Sequence, residues 1–98
     1  MLKPSEVLMR AHNEGRKCGS AYINSRNGAL CALGFLIEPF KEEFDIEEHY
    51  SRNFVSEKYG IPMVIADEIE ERYEGWDLYH DNPQPLNVIA EWLEGIGY

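Results

Sequence analysis

The order of apolar and polar residues predicts a chain built mostly of helices. Val7, Leu8 and Ala11 recur at the spacing that places residues on one side of a helix. Pro4 suits a first helical position, and Gly15 is a typical stop. The first segment is therefore predicted to be an amphipathic helix.

A hairpin and a short apolar helix are predicted to follow. Residues 20–30 read as a β-hairpin, because the dipeptide Asn27-Gly28 favours a type I′ turn. Residues 31–38 are almost entirely apolar, and they end before Pro39, which disfavours helix in the residue that precedes it.

Two clear helices are predicted in the second half of the chain, and residues 46–58, broken at Gly60, are a candidate for one more. The next starts at Pro62 and ends at Gly75, and its apolar stripe comprises Ile61, Ile65, Ile69 and Tyr73. The last has Trp92 at the border of a buried stripe that comprises Leu86, Ile89, Ala90, Leu93 and Ile96.

These elements predict the fold class: a mostly α, α+β protein of about four helices and one short β-hairpin, in a single small domain that spans residues 1–98. Hydrophobic residues make up 44% of the chain, enough for one core. No apolar run approaches the about 18–20 residues that span a bilayer, and the first residues lack the features of a signal peptide. We therefore expect a cytoplasmic protein without a membrane contact.

Charge is distributed unevenly along the chain. Residues 1–30 contain five bases and two acids, whereas residues 31–98 contain four bases and sixteen acids, for a net charge of −9. Such a surface repels phosphate backbones, so direct nucleic-acid binding is not expected. It favours a basic protein partner, although an acidic surface also simply keeps a protein in solution.

The predicted helix before Gly75 concentrates this negative charge. Asp67, Glu71 and Glu74 are spaced to lie on one side of it, and the pair Glu68 and Arg72 is the favourable i,i+4 pair nearby. Aromatic residues predicted in the following loop extend the surface. The candidate binding residues are Asp67, Glu70, Glu71, Glu74, Trp76, Asp77 and Tyr79. The alternatives are a plain solvated helix face and a Trp76 that caps the core.

Cys31 at a predicted helix start is the candidate nucleophile. A helix N-terminus stabilises a thiolate, and His80 with Asp81 or Asn82 would supply a base and an orienting group. The apolar neighbours of Cys31 favour a buried core cysteine instead, so no catalytic residue is favoured. Cys18 and Cys31 are expected as reduced thiols. The cysteine and histidine spacings do not match a zinc site, and no cofactor is predicted.

Two segments carry a resemblance to a known family. The first reads Gly-Ser-Ala-Tyr, then Asn-Gly-Ala-Leu-Cys-Ala-Leu-Gly-Phe-Leu, within residues 19–36, and the second is Tyr79-His80-Asp81 before the last helix. This pattern resembles a small uncharacterised family of phages and actinobacteria, with a Gly-Ala-Tyr strand, a Cys-Ala-Leu-Gly-Ala-Leu segment and a Trp-Asn-Asp turn. Phe35 and Tyr79-His80 depart from it. The resemblance implies shared architecture and a phage origin, hence a host cytoplasm, but no chemistry.

Three functions remain open from the sequence. The favoured one is a small acidic, non-enzymatic interaction protein, a phage accessory protein that modulates a host protein. The second is a cysteine-dependent enzyme that uses Cys31 with His80. The third is a structural or assembly subunit. Self-association as a homodimer is compatible with the first and the third.

Overall fold

Five α-helices and one short strand make up the part of the protein that the computed structural model describes, residues 2–21, 30–45, 47–79 and 86–98. Side chains are described for these residues except 20–21 and 74–79. The elements in chain order are α1 (Pro4–Asn13), β1 (Cys18–Ala21), α2 (Ala32–Ile37), α3 (Ser51–Tyr59), α4 (Met63–Tyr79) and α5 (Leu86–Gly95), with a 3₁₀ turn (Glu38–Phe40) after α2. The mostly α, α+β fold class is confirmed, with five described helices where about four are predicted.

The shortest helix, α2, forms the centre of the core. All six of its residues are buried, and it packs against α1, α3 and α4. A helix that is apolar on every side belongs inside a protein, since it has no polar face to present to water. The apolar run of the sequence therefore becomes the element around which the longer helices assemble. Its end also follows the prediction, because Pro39 falls in the 3₁₀ turn rather than in the helix.

Helices α1 and α5 pack closely on each other, next to α2. Their contact is tied at one end by Ser5, whose hydroxyl donates a hydrogen bond of 3.0 Å to the carbonyl oxygen of Tyr98. The buried stripe of α5 is as predicted except for Ile96, which is 43% exposed. The helix ends at Gly95, and Ile96 lies in the exposed turn that leads to Gly97 (φ +96°), although its N–H still donates to the carbonyl of Trp92 at 3.3 Å.

Helix α3 begins later than the sequence predicts. Its first residue is Ser51, whereas the prediction places the start at residue 46. A turn precedes the helix: the carboxylate of Asp45 accepts the N–H of Glu47 at 2.9 Å, and Nδ1 of His49 accepts the N–H of Asp45 at 3.0 Å. Side chains that satisfy nearby backbone groups in this way compete with helix formation. The predicted break at Gly60 is confirmed, with a left-handed φ of +64°.

Helix α4 runs past the glycine that is predicted to end it. It continues through Gly75 to Tyr79, a length of 17 residues. A glycine inside a helix costs only about 1 kcal/mol relative to alanine, and the packing of a long apolar stripe can offset that cost. Ile69 is fully buried and Tyr73 is 4% exposed, so the stripe itself is as predicted.

The strand β1 lies beside the chain that enters α2. Among the described residues, a parallel bridge joins Cys18 to Leu30, and the N–H of Leu30 donates to the carbonyl of Lys17 at 3.2 Å. The predicted hairpin turn at Asn27-Gly28 lies outside the described residues, so the hairpin stays a prediction. Tyr73 of α4 holds the strand from the other side through a hydrogen bond of 2.6 Å to the carbonyl of Gly19.

Candidate functional site

The acidic residues of α4 divide between its flanks and its outer side. Asp67 is half-buried, and its Oδ1 lies 3.1 Å from Nη1 of Arg52 on α3. Glu70 is also half-buried, whereas Glu71 is exposed. Asp67 is thus partly neutralised by the neighbouring helix. Glu71 takes part in none of the ion pairs that join described residues, and it presents its charge to solvent.

The predicted pair of Glu68 and Arg72 forms, and Arg72 also makes a contact that the sequence does not indicate. Oε1 of Glu68 accepts from Nε of Arg72 at 3.2 Å and from Nη2 at 3.0 Å. The same guanidinium lies over the ring of Trp92 on α5, 4.1 Å from its centroid. This cation–π contact joins the acidic side of α4 to α5. No sequence signal links residues 72 and 92, because only the packing of the two helices brings them together.

The remaining candidate binding residues lie at the end of α4. The backbone is helical at Glu74, Trp76, Asp77 and Tyr79, while their side chains lie outside the described residues. The predicted loop position of Trp76 and Tyr79 is therefore wrong.

Carboxylates outnumber the cations that are available to neutralise them. Of the four bases in residues 31–98, Arg52, Lys58 and Arg72 are already in ion pairs with Asp67, Glu43 and Glu68. Residues 31–98 carry further exposed acids: Glu42, Asp45, Glu47, Glu48, Glu57, Glu71, Glu91 and Glu94. The described surface of this part of the chain is therefore strongly negative, which favours cationic ligands.

Cys31 acts as the cap of α2. It is 7% exposed, and its Sγ accepts a hydrogen bond from the N–H of Gly34 at 3.3 Å. A side chain that accepts from the third residue of a helix satisfies one of the unpaired N–H groups there. His80 and Asp81, its proposed catalytic partners, lie outside the described residues. The thiol thus has a structural role in the core, which is the interpretation that the sequence favours.

Cys18 has a different environment. It is exposed as a residue, yet its thiol lies close enough to Tyr73 to form a hydrogen bond. Desolvation raises the pKa of the Cys18 thiol, and the hydrogen bond with Tyr73 lowers it by less. The net raised pKa keeps the thiol protonated near neutral pH. Such a thiol is a poor nucleophile, because the thiolate is the reactive form.

A groove of about 490 Å³ follows α1 instead of the acidic surface. Its lining includes the cations Lys3 and Arg10 together with the carboxylates Glu6, Glu14 and Glu94. Cys31 does not line it. A groove with both signs of charge and no reactive thiol offers no evident catalytic centre. Within the described ranges, no three His, Cys, Asp or Glu side chains are grouped to hold a metal ion.

Comparisons with protein-family models, with curated proteins and with solved structures gave no match for this chain. None of the described helices is long and apolar enough to cross a membrane. The functional conclusion therefore depends on the surface of the molecule itself.

Proposed function

We propose that this chain is a non-enzymatic interaction protein that binds a basic protein through the outer side of α4. The observation that carries the proposal is the exposure of the carboxylates on this side of α4. Glu71 is exposed and outside the ion pairs of the described residues, and Asp67 and Glu68 stay half-exposed beside Arg52 and Arg72, which pair with them. A surface of this kind steers cationic partners towards it and gives specificity through charge complementarity.

The resemblance to the phage and actinobacterial family gives the proposal a biological setting. In this setting the protein is a phage accessory factor, and its partner is a host protein in the host cytoplasm. The negative charge also argues against a nucleic-acid ligand, because phosphates would be repelled.

The two alternatives differ in what they require of the molecule. A cysteine-dependent enzyme needs a thiol that a substrate can reach, and the 7% exposure of Cys31 does not favour this. A structural or assembly subunit needs a surface that pairs with further copies. The net charge of −9 opposes such pairing, because each copy repels the next.

Binding of a labelled lysine- and arginine-rich peptide, followed by fluorescence anisotropy, tests the proposal. We expect Asp67→Asn with Glu71→Gln to weaken binding about ten-fold at low salt, because it removes two charges from the proposed site. The matched control, Glu42→Gln with Glu47→Gln, removes two exposed charges elsewhere and keeps the same net charge. It should change affinity by less than about two-fold.

The control decides between a site and a general charge effect. Equal losses in both double variants would mean that the peptide senses only net charge, and the α4 site would be rejected. A wild-type protein that fails to bind the peptide even at low salt would reject a basic partner altogether.

A further inference from the structure

A second apolar stripe lies on α5, beside the one that packs into the core. Val88, Trp92 and Ile96 follow one another at intervals of four residues, so they line the same side at and just beyond the helix. Val88 is 41% and Ile96 is 43% exposed, and Trp92 between them is half-buried. Single exposed apolar residues are common, but here two on α5 and one directly after its end follow the same side of the helix.

Arg72 completes this patch from the neighbouring helix. Its guanidinium stacks on the Trp92 ring at 4.1 Å, and Glu68 holds it there through two hydrogen bonds. The indole is therefore fixed in place before any partner arrives, which reduces the entropy lost on binding. Tryptophan and arginine are also the residues that most often dominate binding energy at interfaces.

The charges around the patch indicate what could cover it. Glu91 is exposed and lies between Val88 and Trp92 along the chain, and Glu68 lies on the opposite side, next to Arg72. An apolar centre with carboxylates along its borders is complementary to a helix that has an apolar stripe flanked by lysine or arginine. A second copy of this chain is a poor match, because it would bring the same carboxylates together.

We propose that the patch of Val88, Trp92 and Ile96, bordered by Glu68 and Glu91, is the docking site for a basic amphipathic helix of a partner protein. The proposal rests on the proposed function, since it specifies the chemistry of the basic partner and the place where it binds. The carboxylates of α4 attract the partner, and the apolar patch of α5 holds it.

Two peptides of equal length and charge separate these contributions. One is an 18-residue leucine–lysine helix with an apolar stripe, and the other replaces each leucine with serine. We expect the full-length protein to bind the amphipathic peptide at least about ten-fold more tightly than the serine peptide, because only the former buries apolar surface. The difference in affinity between the two peptides should persist at a salt concentration that removes most of the electrostatic attraction.

Val88→Asn tests the patch within the protein. We expect roughly five- to ten-fold weaker binding of the amphipathic peptide and unchanged binding of the serine peptide. Val64→Asn is the matched control, because Val64 is the same residue type, is 65% exposed and lies at the start of α4, about two helical turns before the Arg72 that stacks on Trp92. Ile96→Asn gives a second test beyond the end of α5, and circular dichroism verifies that each variant folds.

The possible outcomes have separate meanings. Equal binding of both peptides, with loss on Asp67→Asn and Glu71→Gln, would retain the proposed function and reject the α5 docking site. If Val88→Asn and Val64→Asn weaken binding equally, the patch is also rejected. A sedimentation coefficient that falls to the monomer value only in Val88→Asn would identify a second copy as the occupant and overturn the proposal.

Discussion

The hydroxyl of Tyr59 provides a sharp test of how the core is held together. Tyr59 is 4% exposed, and its O–H donates to the carbonyl oxygen of Leu36 at 2.6 Å. Leu36 is fully buried in the last turn of α2, where helical carbonyl groups run out of partners within their own helix. The tyrosine thus links the end of the central helix to α3.

Tyr59→Phe removes this hydroxyl and leaves the ring in place. The phenylalanine can keep the edge-on contact with Phe40, whose ring centroid is 5.6 Å away. The variant then mainly loses one buried hydrogen bond, and the carbonyl oxygen of Leu36 is left without its donor. A buried acceptor left without its donor costs about 1–3 kcal/mol. In a domain of this size each kcal/mol lowers Tm by about 4–8 °C, so a cost near 2 kcal/mol predicts a fall of about 8–16 °C.

Urea unfolding and thermal melting, both followed by far-ultraviolet circular dichroism, measure this loss. Tyr50→Phe is the matched control: Tyr50 is 78% exposed, so the same change there should alter stability by less than about 0.5 kcal/mol. A Tyr59→Phe protein that is as stable as the control would refute the hydrogen bond as a source of stability.

A pH series extends the same test. Burial raises the pKa of Tyr59 above its ordinary value of 10.0. The folded state therefore retains a proton that the unfolded chain releases, and stability falls as the pH rises above that ordinary value. Tyr59→Phe lacks this contribution, so its deficit relative to the wild-type protein should shrink at alkaline pH. A deficit that stays constant up to pH 11 would contradict the assignment.

Two further predictions concern the ion pair beside β1 and the two thiols. Glu38 accepts both Nη groups of Arg16, at 2.8 and 2.7 Å, and this hydrogen-bonded pair holds the pKa of Glu38 below its usual range. Because both side chains are about one-third exposed, Glu38→Gln should lower the free energy of unfolding by only about 0.5 kcal/mol near neutral pH. This loss of stability relative to the wild-type protein should vanish as the pH falls through the folded pKa of Glu38. Glu42→Gln is the control, and a loss that does not change with pH would exclude the ion pair as the cause. For the thiols, an alkylating agent should label Cys18 in the folded protein, and faster at alkaline pH, whereas Cys31 should be labelled only on unfolding. Mass spectrometry detects the label, and the Cys18→Ser variant leaves Cys31 as the thiol that is followed. Labelling of Cys31 in the folded state would contradict its burial.

Features that depend on neighbours along the chain could be predicted from the sequence. The position of Pro4 at the start of α1, the left-handed Gly60 and the end of α2 before Pro39 are all confirmed. Each depends on the backbone preferences of one or two residues. The i,i+4 pair of Glu68 and Arg72 belongs to the same class, since helical geometry alone brings it together.

The predictions that are wrong are those in which tertiary packing outweighs a local preference. Gly75 is a typical helix stop, but α4 continues through it because its apolar stripe is anchored in the core. The start of α3 moves to Ser51, where the side-chain hydrogen bonds of Asp45 and His49 favour a turn over helix. Local propensities are small, so a few packed or hydrogen-bonded side chains suffice to overcome them.

The candidate site was only partly predictable for a related reason. The acidic residues of α4 are evident as a charge pattern, whereas Arg52 near Asp67 and Arg72 over Trp92 are separated by 15 and 20 positions in the sequence. Charge patterns show how much charge a helix carries. They do not show which charges a neighbouring helix neutralises, and this determines which carboxylates stay available to a ligand.

Different sides of α4 make the contacts that hold the fold together and carry the carboxylates of the proposed binding surface. Ile69 and Tyr73 lie on the side that packs into the core, Asp67 pairs with Arg52 of α3, and Arg72 stacks on Trp92 of α5. These contacts hold the outer carboxylates of α4 next to the α5 patch. A preformed surface requires little ordering on binding, so even a small patch can hold a helix of matching charge and shape.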